Sequence, residues 1–162
     1  MAPQDWPAVR RIYQQGIDTG NATLTTLAPD WPHWDAAHLR ECRLAARHAQ
    51  EIVGWAALSA VSSRAVYAGV AEVSVYVAPS AQGQGVGKAL FEALIVASEQ
   101  CGIWTLQSSI LAENEGSIAL HEKCGFRKVG VRERLGHRNG QWRDVVLMER
   151  RSRNTDLYNS IA

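Results

Sequence analysis

The stretch VSVYVAPSAQGQGVGKAL, Val73 to Leu90, decides how the rest of the chain is read. Val73, Val75 and Val77 alternate with Ser74 and Tyr76, the period of a strand with one buried face. Pro79 and Ser80 end it. Gln82-Gly83-Gln84-Gly85-Val86-Gly87-Lys88 follows, and after Gly87 the apolar positions Leu90, Leu94 and Ala97 recur at helical spacing. A strand, a glycine-rich turn and a helix start together make a place where backbone can wrap a phosphate. First-turn N–H groups lack partners inside the helix, and the helix dipole adds about half a positive charge there. Glycines let the chain approach an anion closely and adopt the positive φ of an anion-binding nest.

Two well-known phosphate loops do not fit. A P-loop requires Gly-x-x-x-x-Gly-Lys-Ser/Thr. Gly87-Lys88 matches its end, but Gln82 holds the first glycine position and Ala89 the metal-binding hydroxyl position. A dinucleotide fingerprint requires Gly-x-Gly-x-x-Gly, and Lys88 stands at its third glycine. What remains is Gln82-x-x-Gly85-x-Gly87 after a strand ending in proline. Read alone, that pattern is either an acyl-CoA pyrophosphate loop or a simple glycine-rich connection.

Length and composition narrow the class. A chain of 162 residues suits one domain with a sizeable core. Hydrophobic content of 46% and charged content of 20% are those of an ordinary globular protein. A formal net charge of +1 argues against a nucleic-acid binder held by bulk electrostatics. The apolar runs are too short for a membrane span, and MAPQDWPAVRR has no signal-peptide hydrophobic region, so a cytoplasmic location is expected. Cys42, Cys101 and Cys124 are scattered and expected to be reduced, and no metal-ligand spacing appears.

Along the chain, a helix is expected from a cap at Asp5 through Ile17, then a hydroxyl-rich loop from Thr19. A short helix capped near Asp35 follows, its Trp31 and Trp34 read as packing. Strands are expected at 43–49 and 51–60, and a long central strand at 67–77 with a bulge or close approach at Gly69. A helix from Gly85 to about Gln100, a strand at 104–111, a helix from Asn114 to Lys123 and a closing hairpin around Asn139-Gly140 complete it. Residues 1–150 form one domain and 151–162 a polar tail.

A second motif supplies the resemblance. Asn114-Glu-Gly-Ser117-Ile-Ala-Leu-His121-Glu-Lys-Cys-Gly125-Phe126 is similar to the segment after the fifth strand of GNAT superfamily acetyltransferases, where Asn, a small residue, Tyr or His, then Gly-Phe recur. The loop Gln82-x-x-Gly85-x-Gly87 resembles their acyl-CoA pyrophosphate loop. Within that superfamily, Ala71-Glu72-Val73-Ser74-Val75-Tyr76-Val77, the string at 112–121 and Gly136-His137-Arg138-x-Gly-x-Trp142-x-Asp-Val-Val146 resemble the phosphinothricin acetyltransferase family, over roughly residues 5 to 150. The resemblance implies an α/β (α+β) GNAT fold: a mixed, mostly antiparallel sheet of six to seven strands, splayed at its central strands and flanked by about four helices. Three departures stand out. Met1-Ala2-Pro3 leaves little room for a first strand, Ala68 and Val70 replace an arginine and a threonine common in the family, and Leu24 replaces a phenylalanine.

The resemblance also implies chemistry: an acetyl group passes from acetyl-CoA to the amino group of a small acceptor, an amino acid or an analogue such as phosphinothricin or methionine sulfoximine. A non-catalytic acetyl-CoA sensor is the competing reading. Amides from Gly83 through Gly85, Val86 and Gly87 to Lys88 would hold the pyrophosphate, and Gln82 would support that loop or contact the CoA. Backbone at Val75 to Val77 would polarise the thioester, and Asn114 and Ser117 would border the pantetheine. His121 could protonate the leaving thiolate or be a satisfied structural histidine. Glu72, a carboxylate between apolar neighbours, is the first candidate base and His137 the second. A homodimer is implied, with neither metal, nucleic acid nor membrane as partner.

Overall fold

The computed structural model describes residues 1–154 and Leu157. Helices α1 (Trp6–Asp18) and α2 (Trp31–Ala37) precede strands β1 (Leu44–His48), β2 (Glu51–Ala60) and β3 (Val70–Val77). Then come α3 (Val86–Gln100), β4 (Thr105–Leu111), α4 (Glu115–Lys123), β5 (Arg127–Arg138) and β6 (Gln141–Arg151). The six strands form one open sheet in the order β1-β2-β3-β4-β6-β5. All neighbours are antiparallel except β3 and β4, which run parallel. This is the expected mixed sheet at the lower strand number. Residues 3–5 form a 3-10 turn and run straight into α1, and among the described residues no strand precedes that helix.

The period-2 pattern of β2 builds both faces of the core. Trp55 and Ala57 pack with Trp6, Val9, Ile12 and Trp34 under α1 and α2. Ala56 and Leu58 face the other way, to Leu90, Phe91 and Leu94 of α3. Trp34 is fully buried and stacks on Trp31 at 5.5 Å between ring centroids, confirming these tryptophans as packing. The Cys42 and Cys101 sulfurs lie 3.6 Å apart as free thiols, and burial first, then Cys101, push the Cys42 thiol up to about 12.

Several boundaries differ from expectation. The cap of α2 is Asp30, whose carboxylate accepts from the His33 N–H at 3.0 Å; Asp35 instead pairs with Arg43. Asp30 is extended and precedes Pro32, the geometry a cap needs. Asp5 makes no cap bond because its backbone is already helical, and its carboxylate accepts from Ala2 N–H and Arg47. Tyr67 belongs to a 3-10 turn, Ala65–Tyr67, so β3 starts at Val70. The strand β6 takes in Arg151, and Ser152 is buried, its hydroxyl donating to Glu99 at 2.7 Å. The ordered fold thus runs past the expected boundary at 150, and of the expected tail 155–156 and 158–162 lie outside the described residues.

Gly69 is a close approach rather than a bulge. Its carbonyl accepts from Trp104 and Thr105 N–H, and a Cβ there would lie 1.9 Å from the Trp104 ring. Gly69→Ala is expected to destabilise the fold by about 1–3 kcal/mol through overpacking. Urea unfolding would show a lower midpoint at unchanged slope. An unchanged midpoint would mean that Trp104 simply swings aside.

Candidate active site

The parallel pair opens the site. Pairing between β3 and β4 covers Val70, Ala71 and Glu72 against Thr105, Leu106 and Gln107. Beyond Glu72 the strands part, and a cavity of about 990 Å³ lies in the split. Glu72 sits at its apex. Its Oε2 accepts from the Gln107 side-chain amide at 2.6 Å and its Oε1 from the Ser109 backbone N–H at 2.8 Å. One carboxylate thus fastens β4 where the backbone ladder ends, while lining the cavity.

Strand parity sorts the cavity into two sides. Val73, Val75 and Val77 pack toward α3 and α4, whereas Tyr76 packs toward α1. Glu72 and Ser74 share parity with Tyr76 and face the α1 side. On the α3 side, Pro79–Ala81 makes a 3-10 turn and Gln82 donates to the Val77 carbonyl at 3.4 Å, supporting the loop. Gly83 and Gly85 take φ of +75° and +83°, the left-handed conformation that a side chain penalises, with open space where a Cβ would point. No side chain caps α3 and no acidic residue occupies its first turn, so its N-terminal amides remain for an anion from outside. Gly87 does a different job: a Cβ there would come 3.0 Å from Leu120, so it lets α3 approach α4. Lys88 is exposed, 3.5 Å from Glu92, and with Val86 borders the cavity.

The wall on the α1 side is aromatic and hydroxyl-rich. Tyr13 and Tyr76 rings meet at 4.7 Å and Tyr76 stacks on Trp55 at 4.9 Å. Desolvation, then the neighbouring Tyr13, push the Tyr76 hydroxyl well above its usual value. Thr23 and Leu24 continue the wall; Ala68 and Val70, the other family departures, do not border the cavity. Sequence reasoning did not single out Tyr13, although Tyr76 alternates openly with Val75 and Val77.

The α4 residues are placed as follows. Asn114 is the N-cap: its Oδ1 accepts from Ser117 N–H at 3.1 Å, and its Nδ2 donates to the Asn21 carbonyl at 3.0 Å. His121 is 5% exposed between the Phe91 and Phe126 rings. Its Nδ1 lies 2.7 Å from the Ser117 carbonyl, which can only accept, so Nδ1 carries the proton. Nε2, 2.8 Å from Ser108 Oγ, then accepts from that hydroxyl. Burial, partly offset by the Ser117 carbonyl, holds the imidazole below its ordinary value and therefore neutral near pH 7. Both nitrogens are engaged, which is the structural-histidine geometry, although the ring borders the cavity. His137 is not brought there. It is exposed on β5 opposite Trp142, its ring 5.1 Å from that indole, because strand parity turns its neighbours Gly136 and Arg138 inward instead. Among the described residues no three His, Cys, Asp or Glu side chains gather as metal ligands, and no helix is long and apolar enough to cross a membrane.

An open mixed sheet whose parallel pair splits beside an uncapped, glycine-preceded helix is the arrangement that the resemblance to acyl-CoA-using acetyltransferases implied. Comparison with known proteins agrees, and the chain belongs to the Acetyltransferase (GNAT) family, whose profile matches residues 6–126. Among curated relatives, a phosphinothricin N-acetyltransferase of Alcaligenes faecalis is 34% identical over 157 residues, 90% of this chain and 77% of the relative. A ribosomal-protein-alanine N-acetyltransferase of Brucella melitensis superposes with a TM-score of 0.88 at 28% identity, covering 94% of this chain and 97% of that one. A phosphinothricin acetyltransferase of Sinorhizobium meliloti, solved with AcCoA, superposes with a TM-score of 0.83 at 26% identity, covering 93% and 85%.

Proposed function

We propose that the protein transfers the acetyl group of acetyl-CoA to the amino group of a small acceptor, an amino acid or an amino-acid analogue of the phosphinothricin type. The observation that carries this reading is Glu72 at the apex of the split, on the face of β3 that looks toward Tyr13 and Tyr76, with the glycine loop beyond the opposite face. The amides of Gly83 to Lys88 hold the pyrophosphate, Gln82 supports their loop, backbone at Val75 to Val77 receives the thioester, and Asn114 and Ser117 border the pantetheine. Glu72 takes the amine's proton through water. For an amine of pKa ~10.4, deprotonation at pH 7.4 costs about 4 kcal/mol, which such a base partly offsets. His121 holds Ser108 in the cavity wall. A leaving thiol of pKa ~8.5 can draw its proton from solvent near neutral pH.

The same reading places the protein in the cytoplasm as a homodimer, its single catalytic domain reaching through the end of β6. Val129, Val131 and Leu135 of β5 and Trp142 of β6 are exposed apolar side chains on the sheet's edge hairpin, the kind of surface a second copy covers.

Release of free CoA thiol, followed with amino acids, their sulfones, phosphinothricin and peptides with a free α-amine, tests the activity. Turnover of an amino acid or analogue supports the reading. Preference for peptides would move the acceptor to protein N-termini. Tight acetyl-CoA binding without turnover of any amine would favour the sensor.

A further inference from the structure

The connection from α1 to α2 walls the acceptor side of the cavity with Thr19, Asn21, Thr23 and Leu24. Its polar composition and lack of regular structure would leave it loose, yet it is pinned along its length by one hairpin. Arg138 donates to the carbonyls of Thr23 at 2.6 Å and Ile17 at 2.8 Å. Arg143 donates to the Gly20 carbonyl at 3.1 Å and to Asn21 Oδ1 at 3.2 Å. It also forks onto the Glu113 carboxylate at 3.0 and 3.1 Å. Gly136 faces Arg143 across the β5–β6 ladder, and a Cβ on it would stand 2.0 Å from Leu24, so that position seats the leucine. Asn21 Nδ2 closes the ring by donating to the Glu113 carbonyl at 3.2 Å, beside the Asn114 amide that holds the Asn21 carbonyl.

Guanidinium groups are expensive to hold against backbone unless their donors are used. Here two are directed at loop carbonyls, and the Arg138 Nε–H is buried with no hydrogen-bond partner among the described residues. Neither arginine lines the cavity. We propose that Arg138 and Arg143 are positioning residues that fix the shape of the loop at 19–24 and thereby set acceptor affinity and selectivity, independently of acetyl-CoA binding. This rests on the acceptor reading above. Arginine is required rather than any cation, because only its planar fork reaches two carbonyls several residues apart at once.

The test uses Arg138→Met, Arg138→Lys and Arg143→Gln in the full chain. Amide hydrogen exchange over residues 19–24 is expected to accelerate at least about tenfold in Arg138→Met and Arg143→Gln. Acetyl-CoA affinity by calorimetry should stay within about twofold of wild type. With whichever panel amine the wild type acetylates, KM should rise about tenfold with a smaller change in kcat. Arg138→Lys should recover part of the loss, since an ammonium reaches one carbonyl only. Arg143→Gln breaks the other pair of contacts and keeps the test open should Arg138→Met fail to fold. Unchanged exchange overturns the clamp. A loss of acetyl-CoA affinity parallel to the rise in KM overturns its independence and makes the effect global. A wild type that binds acetyl-CoA but acetylates nothing overturns the acceptor role, while exchange still reads the clamp itself.

Discussion

Glu72→Gln is expected to lower kcat about 100-fold while acetyl-CoA affinity barely changes. The carboxylate stands where the β3–β4 ladder ends and accepts one hydrogen bond on each oxygen, from Gln107 and from Ser109 N–H. Each oxygen has a second lone pair, so capacity to accept a proton remains toward the cavity. A glutamine keeps the shape. Its oxygen can take the Ser109 N–H, and its amide can meet Gln107 once that side chain turns end for end. The split between the strands should therefore persist, with a stability change within about 1 kcal/mol. What disappears is the proton acceptor, so the acidic limb of the kcat/KM profile should shift or vanish. Near-wild-type kcat would reduce Glu72 to a strand fastener. If His137→Ala then abolished turnover, the base would be His137, which a rearranged hairpin or a second copy would have to bring to the cavity.

Local signals and long-range partners were unequally legible in the sequence. The starts of α3 and α4, the Asn139-Gly140 hairpin and the left-handed glycines of the loop follow from residues that are neighbours in the chain, and these lie where that chemistry puts them. His121 and Asn114 could be nominated from the helix they share, but their partners could not. Ser108 lies on another strand and Asn21 on a distant loop, and those contacts decide that His121 has both nitrogens occupied and that Asn114 ties down a wall. Asp30 and Asp35 both precede helical residues; the extended backbone at Asp30, ahead of Pro32, is what selects it as the cap. His137 was nominated by its place in a string, and strand parity then put Gly136 and Arg138 inward and the imidazole outward. Arg138 is visible in the sequence only as a member of that string and Arg143 carries no signal, since a carbonyl clamp has no residue pattern at its other end.

The glycine loop yields the second large effect. Gly85→Asp is expected to weaken acetyl-CoA binding at least about 100-fold with the fold retained. Gly85 sits at φ of +83°, and aspartate pays a backbone cost of only about 1–2 kcal/mol there because its short side chain tolerates left-handed geometry. Nothing lies within 4 Å of the added Cβ, so no packing is disturbed. The new carboxylate stands at the uncapped N-terminus of α3, where it also satisfies the amides that the pyrophosphate would use. At ~5 Å from a phosphate and an effective dielectric constant of ~20, the repulsion is about 3 kcal/mol, enough by itself for the stated loss. Added salt should restore part of the affinity by screening that repulsion. Gly87→Ala is the contrast: its methyl meets Leu120, so its cost should appear in unfolding rather than in binding. Calorimetry, with circular dichroism on the same samples, separates the two. Undiminished binding in Gly85→Asp at intact fold would place the pyrophosphate away from the α3 N-terminus.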